Sequence, residues 1–533
     1  MIFVPLNKLT ESEIKFLPGN VDYTLNPPPF IGRTQSGAID VLNEYPIVPE
    51  MDPPNVSGYR YYYDEALAAA LKDIEGHLIE GLNKLEGNYR NRVKNLKVYV
   101  KDGGDGLGDM KEMRNRGTLY PSKVVRMAFT ILSVTAVLDD NQEIKIFVEE
   151  KPNSEMCCRP LVVALADEQD KRSLAIMCKP LMFEREALQS TTMTIGSLSF
   201  TFSIYGTMYD EKMLRMGEGM LSSGSKYFCT LCTKLRTAPI DDVMDITRTH
   251  ENCIYNFEAY ERNAQHLTRE NLLKESTGIA SKPFLSSDPM IDATHADIHW
   301  GEKVFEMYAR EIAQVYDPNK ELTQEDKALV KDGAVRLKKF CREELGLKKE
   351  LMMVGNFARE MLKPKTVQTL CDMLLPPQRH NAVKQYIALL SQMRTIYRAT
   401  NPEIGSVDTY RELSSTFKTL LTNEFKYAFP LSNYQHKVLD HVPDLIIQFG
   451  SVGKFSTEPV EAGNKLCRRF RKCNAYKSPT MEMLHILKYH WLYTMKSLQM
   501  LVRDKANFHC GFCRELGHTA RTCAKKTNSS LSN

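Results

Sequence analysis

Long apolar runs are missing from this chain of 533 residues, which counts against a protein anchored by membrane-spanning helices. The first residues, MIFVPLNKLTESE, also lack the basic and then apolar pattern of a signal peptide. No internal repeat is evident, and only the polar tail KKTNSSLSN is of low complexity. We therefore expect a folded protein in a reducing compartment, built of several domains or of one domain with a large insertion.

Thirteen cysteines are present, and in a reducing compartment paired Cys spacings indicate metal ligands rather than disulfides. Cys229 and Cys232 in YFCTLC could form half of a zinc site, a redox dithiol or two core residues. No thioredoxin-like context surrounds them, which counts against the redox alternative. His436 and His441 in NYQHKVLDH have a spacing that suits zinc, but about 200 residues lie between the two pairs, and spacing alone does not join them. The remaining cysteines of the main chain show no second ligand at usable spacing and are expected in the core: Cys157, Cys158, Cys178, Cys253, Cys341, Cys371, Cys467 and Cys473.

A second zinc motif stands near the C-terminus, in CGFCRELGHTARTC. Its C-x2-C-x4-H-x4-C spacing is that of a CCHC zinc knuckle, with ligands Cys510, Cys513, His518 and Cys523. Such a segment is too small for a hydrophobic core and folds on its metal. Basic residues surround it, so binding to nucleic acid is the favoured role and binding to protein is the alternative.

Charge is unevenly distributed along the chain, which carries +4 overall. From Ala462 onward there are 14 Lys and Arg against 3 Asp and Glu, whereas the preceding 461 residues contain 56 basic and 63 acidic residues. A basic C-terminal segment on a slightly acidic body suggests a polyanionic partner, with nucleic acid the default. The alternative is a solvated basic face.

The order of patterns predicts an α/β domain with a mixed sheet, followed by a helical region. Residues 1–60 are rich in Pro, Asn and Gly and are expected to be extended, and residues 61–85 have helical apolar spacing. Next comes a short strand ending in the glycine-rich turn KDGGDGLGD, and then two strands joined at residues 139–141. A mixed stretch, a further strand in MTIGSLSFTFSIYGT and a helix follow. From about residue 245 to 430 the pattern is mainly helical.

Two acids lie where predicted strands end: Asp105 after the first strand, and Asp210 after SIYGTMY. Because ligands and metals collect at strand ends in open α/β sheets, these carboxylates could converge on hard cations such as Mg²⁺. Asp and Gly are also the residues that turns require, so an ordinary turn remains the alternative.

A third acid, Glu461, lies far downstream in EPVEAGNKLCRRFRK. On a helix, Lys465 and Arg468 share its face, and the charge is extended beside it by Arg469, Arg471 and Lys472. A carboxylate beside a basic surface is expected of an enzyme that holds a phosphodiester backbone against its metals. An exposed helix with i,i+4 salt bridges is the alternative.

Ten short motifs, taken in order, point to a family. They run from about residue 98 to 501: DGLGDM, LADE, YDEK, CTLC, SKPF, GNFAR, FKY, NY.HK, EAGNKLCRRFRK and KYHWLYT. With them the chain resembles the Transib superfamily of cut-and-paste DNA transposases, and the catalytic core of V(D)J recombinases within it. The resemblance implies an RNase H-like catalytic core with a large, mainly helical insertion before the last acid.

The resemblance also implies roles for single residues. The three essential carboxylates of the family fall on Asp105, Asp210 and Glu461, and a supporting acid falls on Glu168, with Asp109 and Glu211 as neighbours. Two ions, Mg²⁺ or Mn²⁺, are expected per active site. One structural zinc is expected to join the core to the insertion, and with the knuckle this makes two structural zinc sites. The four ligands at the junction are Cys229, Cys232, His436 and His441.

The chain is thus expected to divide into six parts: an extended region (1–60), a helical dimerisation or DNA-binding segment (61–94), the first part of an RNase H-like core (95–220), a zinc-containing helical insertion (221–445), the last catalytic helix with basic helices (446–503), and a CCHC knuckle with its tail (504–533).

The function that the resemblance implies is that of a DDE-type transposase. It would bind terminal inverted repeats, nick the element's end, form a hairpin on flanking DNA and join 3′ ends to target DNA. A nuclear homodimer is expected, braced by the helices near residues 61–85. The alternatives are a domesticated, non-catalytic DNA-binding protein, or an RNase H-like nuclease without strand transfer.

Overall fold

The computed structural model of the protein describes residues 30–32, 56–109, 123–318, 322–347, 360–473 and 479–499. Within them one sheet contains eight strands. In chain order these are β1 (Phe30–Gly32), β2 (Ser57–Arg60), β3 (Val93–Asp109), β4 (Lys123–Leu138), β5 (Glu143–Val148), β6 (Arg159–Leu165), β7 (Met193–Ile195) and β8 (Leu198–Tyr209).

The sheet is mixed, as the sequence predicts. Its order is β1-β2-β6-β4-β3-β8-β7, and β5 pairs with the part of β4 that β6 leaves free. β3 and β8 run parallel, while the other described pairs are antiparallel. The parallel pair brings the carboxyl ends of β3 and β8 to the same edge, where the site described below lies.

The glycine-rich segment of β3 is a strand and not the predicted turn. β3 continues in register with β4 through Asp105, which lies opposite Arg126. The glycines allow close packing: a Cβ on Gly103 would lie 2.1 Å from the carbonyl oxygen of Met208, and one on Gly104 would lie 2.2 Å from the sulfur of Met127. They are therefore required by the neighbouring strands rather than by a reversal of the chain.

Helices cover the sheet. The predicted helical segment after residue 61 is confirmed as α1 (Tyr63–Asp73), α2 (Glu75–Asn83) and α3 (Gly87–Arg90), and the apolar face of α1 packs into the core under the sheet. The predicted mixed stretch becomes β6 and α4 (Lys171–Ser190), and the single strand predicted at 193–207 becomes the hairpin of β7 and β8. A short helix, α5 (Glu211–Gly217), follows β8.

The predicted helical region is also confirmed, and it has its own hydrophobic core. Its helices are α6 (His250–Asn263), α7 (Arg269–Glu275), α8 (Ala293–Ala313), α9 (Gln324–Glu343), α10 (Pro364–Leu374), α11 (His380–Arg398), α12 (Ser406–Glu424), α13 (Asn433–Asp440) and α14 (Val442–Phe449). Single 3₁₀ turns lie at Pro377–Arg379, Lys426–Ala428 and Gly453–Phe455.

The chain then returns to the sheet with α15 (Glu458–Cys473) and α16 (Pro479–Thr494). The aromatic motif of α16 is packed in the core. His490 and Trp491 are buried, and the ring centroids of Trp491 and Tyr61 are 5.0 Å apart. Packing therefore explains this motif.

Candidate functional site

Two of the predicted acids lie close together along the backbone pairing of β3 and β8, towards the carboxyl ends of these strands. Gly104 of β3 pairs with Tyr209, the last residue of β8. The next residues are therefore Asp105, still on β3, and Asp210, directly after β8. Asp210 is also the N-cap of α5 and accepts a hydrogen bond from the backbone N–H of Met213 at 2.6 Å. The predicted convergence of these two acids is therefore seen, although Asp105 lies within a strand.

Glu461 is brought to the same place by α15. One turn further along that helix, the Asn464 side-chain amide donates to Asp105 Oδ2 at 2.7 Å and to the carbonyl oxygen of Gly106 at 3.2 Å. Arg468 donates to the carbonyl oxygen of Leu107 at 2.6 Å. The first turns of α15 thus lie directly on the end of β3.

The pKa of Asp105 depends both on its burial and on the other acids of the site. Burial raises its pKa to about 7, and the negative charges of Asp210, Glu461 and Glu168 contribute in the same direction. Burial also raises the pKa of Asp210 and that of Glu461. Burial therefore disfavours the charged form of all three carboxyl groups, and a divalent cation would stabilise that form.

Glu168, the predicted supporting acid, lies beside the same strand. A Cβ on Gly106 would lie 1.4 Å from Glu168 Oε2, so the glycine leaves the space that this carboxylate occupies. Lys212 Nζ is 3.9 Å from Glu168 Oε1, and burial raises the pKa of Glu168 against the opposing effect of Lys212.

Of the two neighbouring acids named from the sequence, only Glu211 has a described side chain. Glu211 pairs with Arg215 at 2.7 Å and with Lys437 at 2.5 Å, so its charge is compensated away from the acid cluster. The side chain of Asp109 lies outside the described residues.

Sequence reasoning missed two residues of the site, Asp292 and His295. Asp292 caps α8 and accepts hydrogen bonds from the N–H and hydroxyl of Thr457, just before α15. His295 Nδ1 contacts Asp292 and lies 3.7 Å from Glu461 Oε1. Burial alone would lower the pKa of His295, but Asp292 first, and then Glu461, raise it to about 10. An imidazolium therefore faces Glu461. The only local signal in the sequence is Asp-x-x-His at a helix start.

The predicted Cys2His2 set is assembled and buried. The four ligand atoms of Cys229, Cys232, His436 and His441 all lie within 4.8 Å of one another. Cys232 Sγ is 3.2 Å from His436 Nε2, and Cys229 Sγ is 3.7 Å from His441 Nε2. Two sulfurs and two imidazole nitrogens make a four-ligand set that suits a structural zinc.

Outer contacts support this set. His436 Nδ1 is bonded to Asp440 Oδ2 at 2.6 Å, the arrangement that orients a metal-binding imidazole. α13 is further linked to α5 by the ion pair of Lys437 with Glu211. The helix that carries His436 is therefore held against α5, the helix that Asp210 caps.

The predicted DNA-contact residues lie on α15. Lys465, Arg468 and Arg469 are exposed, and Arg471 and Lys472 belong to the helix without described side chains. The CCHC ligands Cys510, Cys513, His518 and Cys523 lie outside the described residues.

A cavity of about 700 Å³ opens beside Asp210 and His295. Its walls include the cationic side chains of Lys171, Lys212 and Lys303. An anionic chain can therefore approach Asp210 along a wall that carries these lysines. Among the helices that the structure describes, none combines the length and apolarity that crossing a bilayer requires.

Comparison with known families follows the same division of the chain. Four family models of Recombination-activation protein 1 (RAG1) match: the pre-RNase H domain at residues 31–91, the RNase H domain at 98–225, the ZnH2 domain at 289–450 and the C-terminal domain at 458–511.

Curated relatives agree with these models. The V(D)J recombination-activating protein 1 of Sus scrofa is 36% identical over 526 residues, covering 96% of this chain and 50% of that protein. That of Oryctolagus cuniculus is 37% identical over 512 residues, covering 93% and 48%. That of Ginglymostoma cirratum is 51% identical over 87 residues, covering 16% of this chain and 82% of that protein. The chain spans about half the length of the first two relatives.

Proposed function

Because the chain belongs to the V(D)J recombination-activating protein 1 family, we propose that it cleaves and rejoins DNA as a cut-and-paste transposase. In this proposal it binds the terminal inverted repeats of an element, nicks their ends and forms hairpins on the flanking DNA. The freed 3′ ends then join target DNA. The observation that carries the proposal is the placement of Asp105, Asp210 and Glu461, from three separate elements, at the same end of the sheet, where their charges influence one another and where a cavity with basic walls opens beside Asp210.

The acids of the site fit divalent ions. Hard cations prefer carboxylate oxygens, and Asp105, Asp210 and Glu461 supply them from β3, the start of α5 and α15, with Glu168 in support. A bound pair of Mg²⁺ or Mn²⁺ ions would activate the attacking water or 3′-hydroxyl and stabilise the leaving oxygen.

Other residues of the site orient the carboxylates or would bind DNA. Asn464 fixes the orientation of the Asp105 carboxylate, and the imidazolium of His295 holds Glu461 when no cation is bound. Lys465, Arg468 and Arg469 are exposed on the helix that carries Glu461 and would bind phosphates of the DNA backbone, although Arg468 also donates to the carbonyl oxygen of Leu107.

Zinc in the Cys2His2 cluster is proposed as a structural ion, because four protein ligands close its coordination shell. It would hold the helical region against α5 and so keep the acids together. The CCHC knuckle is proposed as a second zinc site and an additional nucleic-acid contact. We further propose nuclear residence and a homodimer, since two ends must be cut together.

A cleavage assay on a duplex that carries the element's end, with Mg²⁺, separates this function from its alternatives. Hairpins and strand-transfer products are expected. Simple hydrolysis without hairpins would instead indicate an RNase H-like nuclease, and binding without cleavage would indicate a domesticated DNA-binding protein.

A further inference from the structure

A buried arginine connects the strand of Asp105 to the helix of Glu461. Arg126 lies on β4, opposite Asp105 in the strand register, and its side chain is fully buried. One guanidinium nitrogen donates to the carbonyl oxygen of Val460 at 2.5 Å. Val460 directly precedes Glu461, so this hydrogen bond fixes the backbone from which the carboxylate extends.

The other terminal nitrogen of Arg126 contacts α16. It lies 2.9 Å from Nδ1 of His490, which is also fully buried. Burial, and then the charge of Arg126, lower the pKa of His490 well below its ordinary value. The ring is therefore neutral and offers an acceptor nitrogen to the guanidinium. Arg126 thus joins β4, α15 and α16 at one point.

Gly463 of α15 lies directly against the guanidinium of Arg126. A Cβ at Gly463 would lie 2.5 Å from both terminal nitrogens of Arg126. Glycine weakens a helix interior relative to alanine, and in α15 its place is explained by the room that it leaves for the guanidinium. Gly463, two residues after Glu461, therefore leaves room for the guanidinium of Arg126 on β4.

From these contacts we propose that Arg126 is a positioning residue for Glu461: its guanidinium sets the distance and rotation of the first turn of α15 against β4. The inference rests on the proposed function, in which Glu461 holds a divalent ion. Other contacts hold the chain just before the helix, since Asp292 binds Thr457, and Lys101 donates to the carbonyl oxygen of Ser456 at 3.1 Å. Loss of the arginine therefore misplaces the carboxylate without releasing the helix.

The test measures Mn²⁺ binding by the zinc-loaded full chain without DNA, from the electron paramagnetic resonance signal of free Mn²⁺. Arg126→Gln removes the cation, and Gly463→Ala adds one methyl group against it. Each change is made both with Glu461 and in a Glu461→Gln background, which isolates the part of the affinity that depends on Glu461.

Two matched controls are available. Arg159→Gln removes another buried arginine of the same sheet, one whose ion pair is with Asp73 at 2.5 Å. Gly76→Ala places a methyl group on a helical glycine that has nothing within 4 Å. Both should leave Mn²⁺ affinity unchanged, although Arg159→Gln should lower the midpoint of thermal unfolding.

Arg126→Gln and Gly463→Ala should each weaken Mn²⁺ binding by about tenfold or more, as is typical when an outer contact of a metal ligand is lost. In the Glu461→Gln background neither should weaken it further. Unchanged affinity, or equal weakening in both backgrounds, would overturn the inference. If Arg126→Gln does not fold, Gly463→Ala decides alone. A wild-type chain whose Mn²⁺ affinity does not depend on Glu461 would instead overturn the proposed metal site itself, and this inference with it.

Discussion

Asp210 has a structural role and a proposed catalytic role, and one substitution separates them. Its side chain caps α5 by accepting from the N–H of Met213, and asparagine caps helices equally well. Asp210→Asn should therefore fold and bind DNA as the wild type does. Removal of the charge from a metal ligand should reduce nicking by more than about 100-fold, beyond the usual cost of an outer-contact change.

The measurement is Mg²⁺-dependent nicking of an end-containing duplex, together with DNA affinity by a mobility-shift assay. Asp241→Asn, a change at an exposed acid for which no such role is proposed, is the control and should nick normally. Wild-type nicking by Asp210→Asn would remove Asp210 from the metal site.

Lys101 provides a pH-dependent signal in the same part of the fold. It is fully buried on β3, and it donates to the Asn153 side chain at 2.9 Å and to the carbonyl oxygen of Lys454 at 2.8 Å. Burial lowers its pKa to about 7. Between that pH and about 10.4 the unfolded chain binds the proton and the native chain does not. The free energy of unfolding should therefore rise with pH across this range, by up to a few kcal/mol.

Urea-denaturation midpoints at pH 7, 8 and 9 test whether the free energy of unfolding rises with pH. The wild type should gain stability relative to Lys101→Met as the pH rises, because the variant carries no titrating group. Lys97→Met is the control on the same strand, where the pairing of Lys97 with Glu143 raises the lysine's pKa and no titration falls in this range. A wild-type and Lys101→Met pair whose difference is constant with pH would contradict the prediction.

At the scale of elements, the sequence predicts the mixed sheet and the helical region because apolar periodicity is local. The predicted glycine-rich turn is wrong, because these glycines lie in β3 and pack against Met208 and Met127 on neighbouring strands. Composition alone cannot distinguish a turn glycine from one that permits close packing between strands. The acids Asp105, Asp210 and Glu461 could be named from the family's motifs. Asp292, His295 and Arg126 act through contacts with distant residues, and no spacing in the sequence reveals such contacts.

The Cys2His2 cluster links two of these elements and can be tested by removal of one ligand. Cys232→Ser should lower the zinc content by one ion per chain and destabilise the protein by several kcal/mol, since binding energy of such a site is also folding energy. Because α13 is tied to α5 through Lys437 and Glu211, Mg²⁺-dependent nicking should fall as well.

Zinc content by mass spectrometry and the thermal midpoint measure this effect. Cys253→Ser changes another buried cysteine, one outside the cluster, and should keep the full zinc content. If Cys232→Ser retained all its zinc, the cluster would not be a metal site.

At the scale of the whole molecule, the helical segment near residues 61–85 limits how two chains can meet. The apolar side of α1 is already used, since Tyr63, Leu67 and Leu71 are buried in the core of the sheet. On α2, by contrast, Ile79 is 47% exposed. If this segment braces a homodimer, as the sequence predicts, we expect the contact on the outer face of α2, where Ile79 lies.

Sedimentation of the full chain tests this contact. The wild type should sediment as a dimer, and Ile79→Glu should shift it toward monomer by placing a charge in a desolvated interface. Val243→Glu, a change at another exposed apolar residue, should leave the dimer intact. Because two DNA ends must be held together, the Ile79→Glu chain should also lose coupled cleavage of both ends while its single-end nicking persists. A variant that remains dimeric would place the interface elsewhere on the molecule.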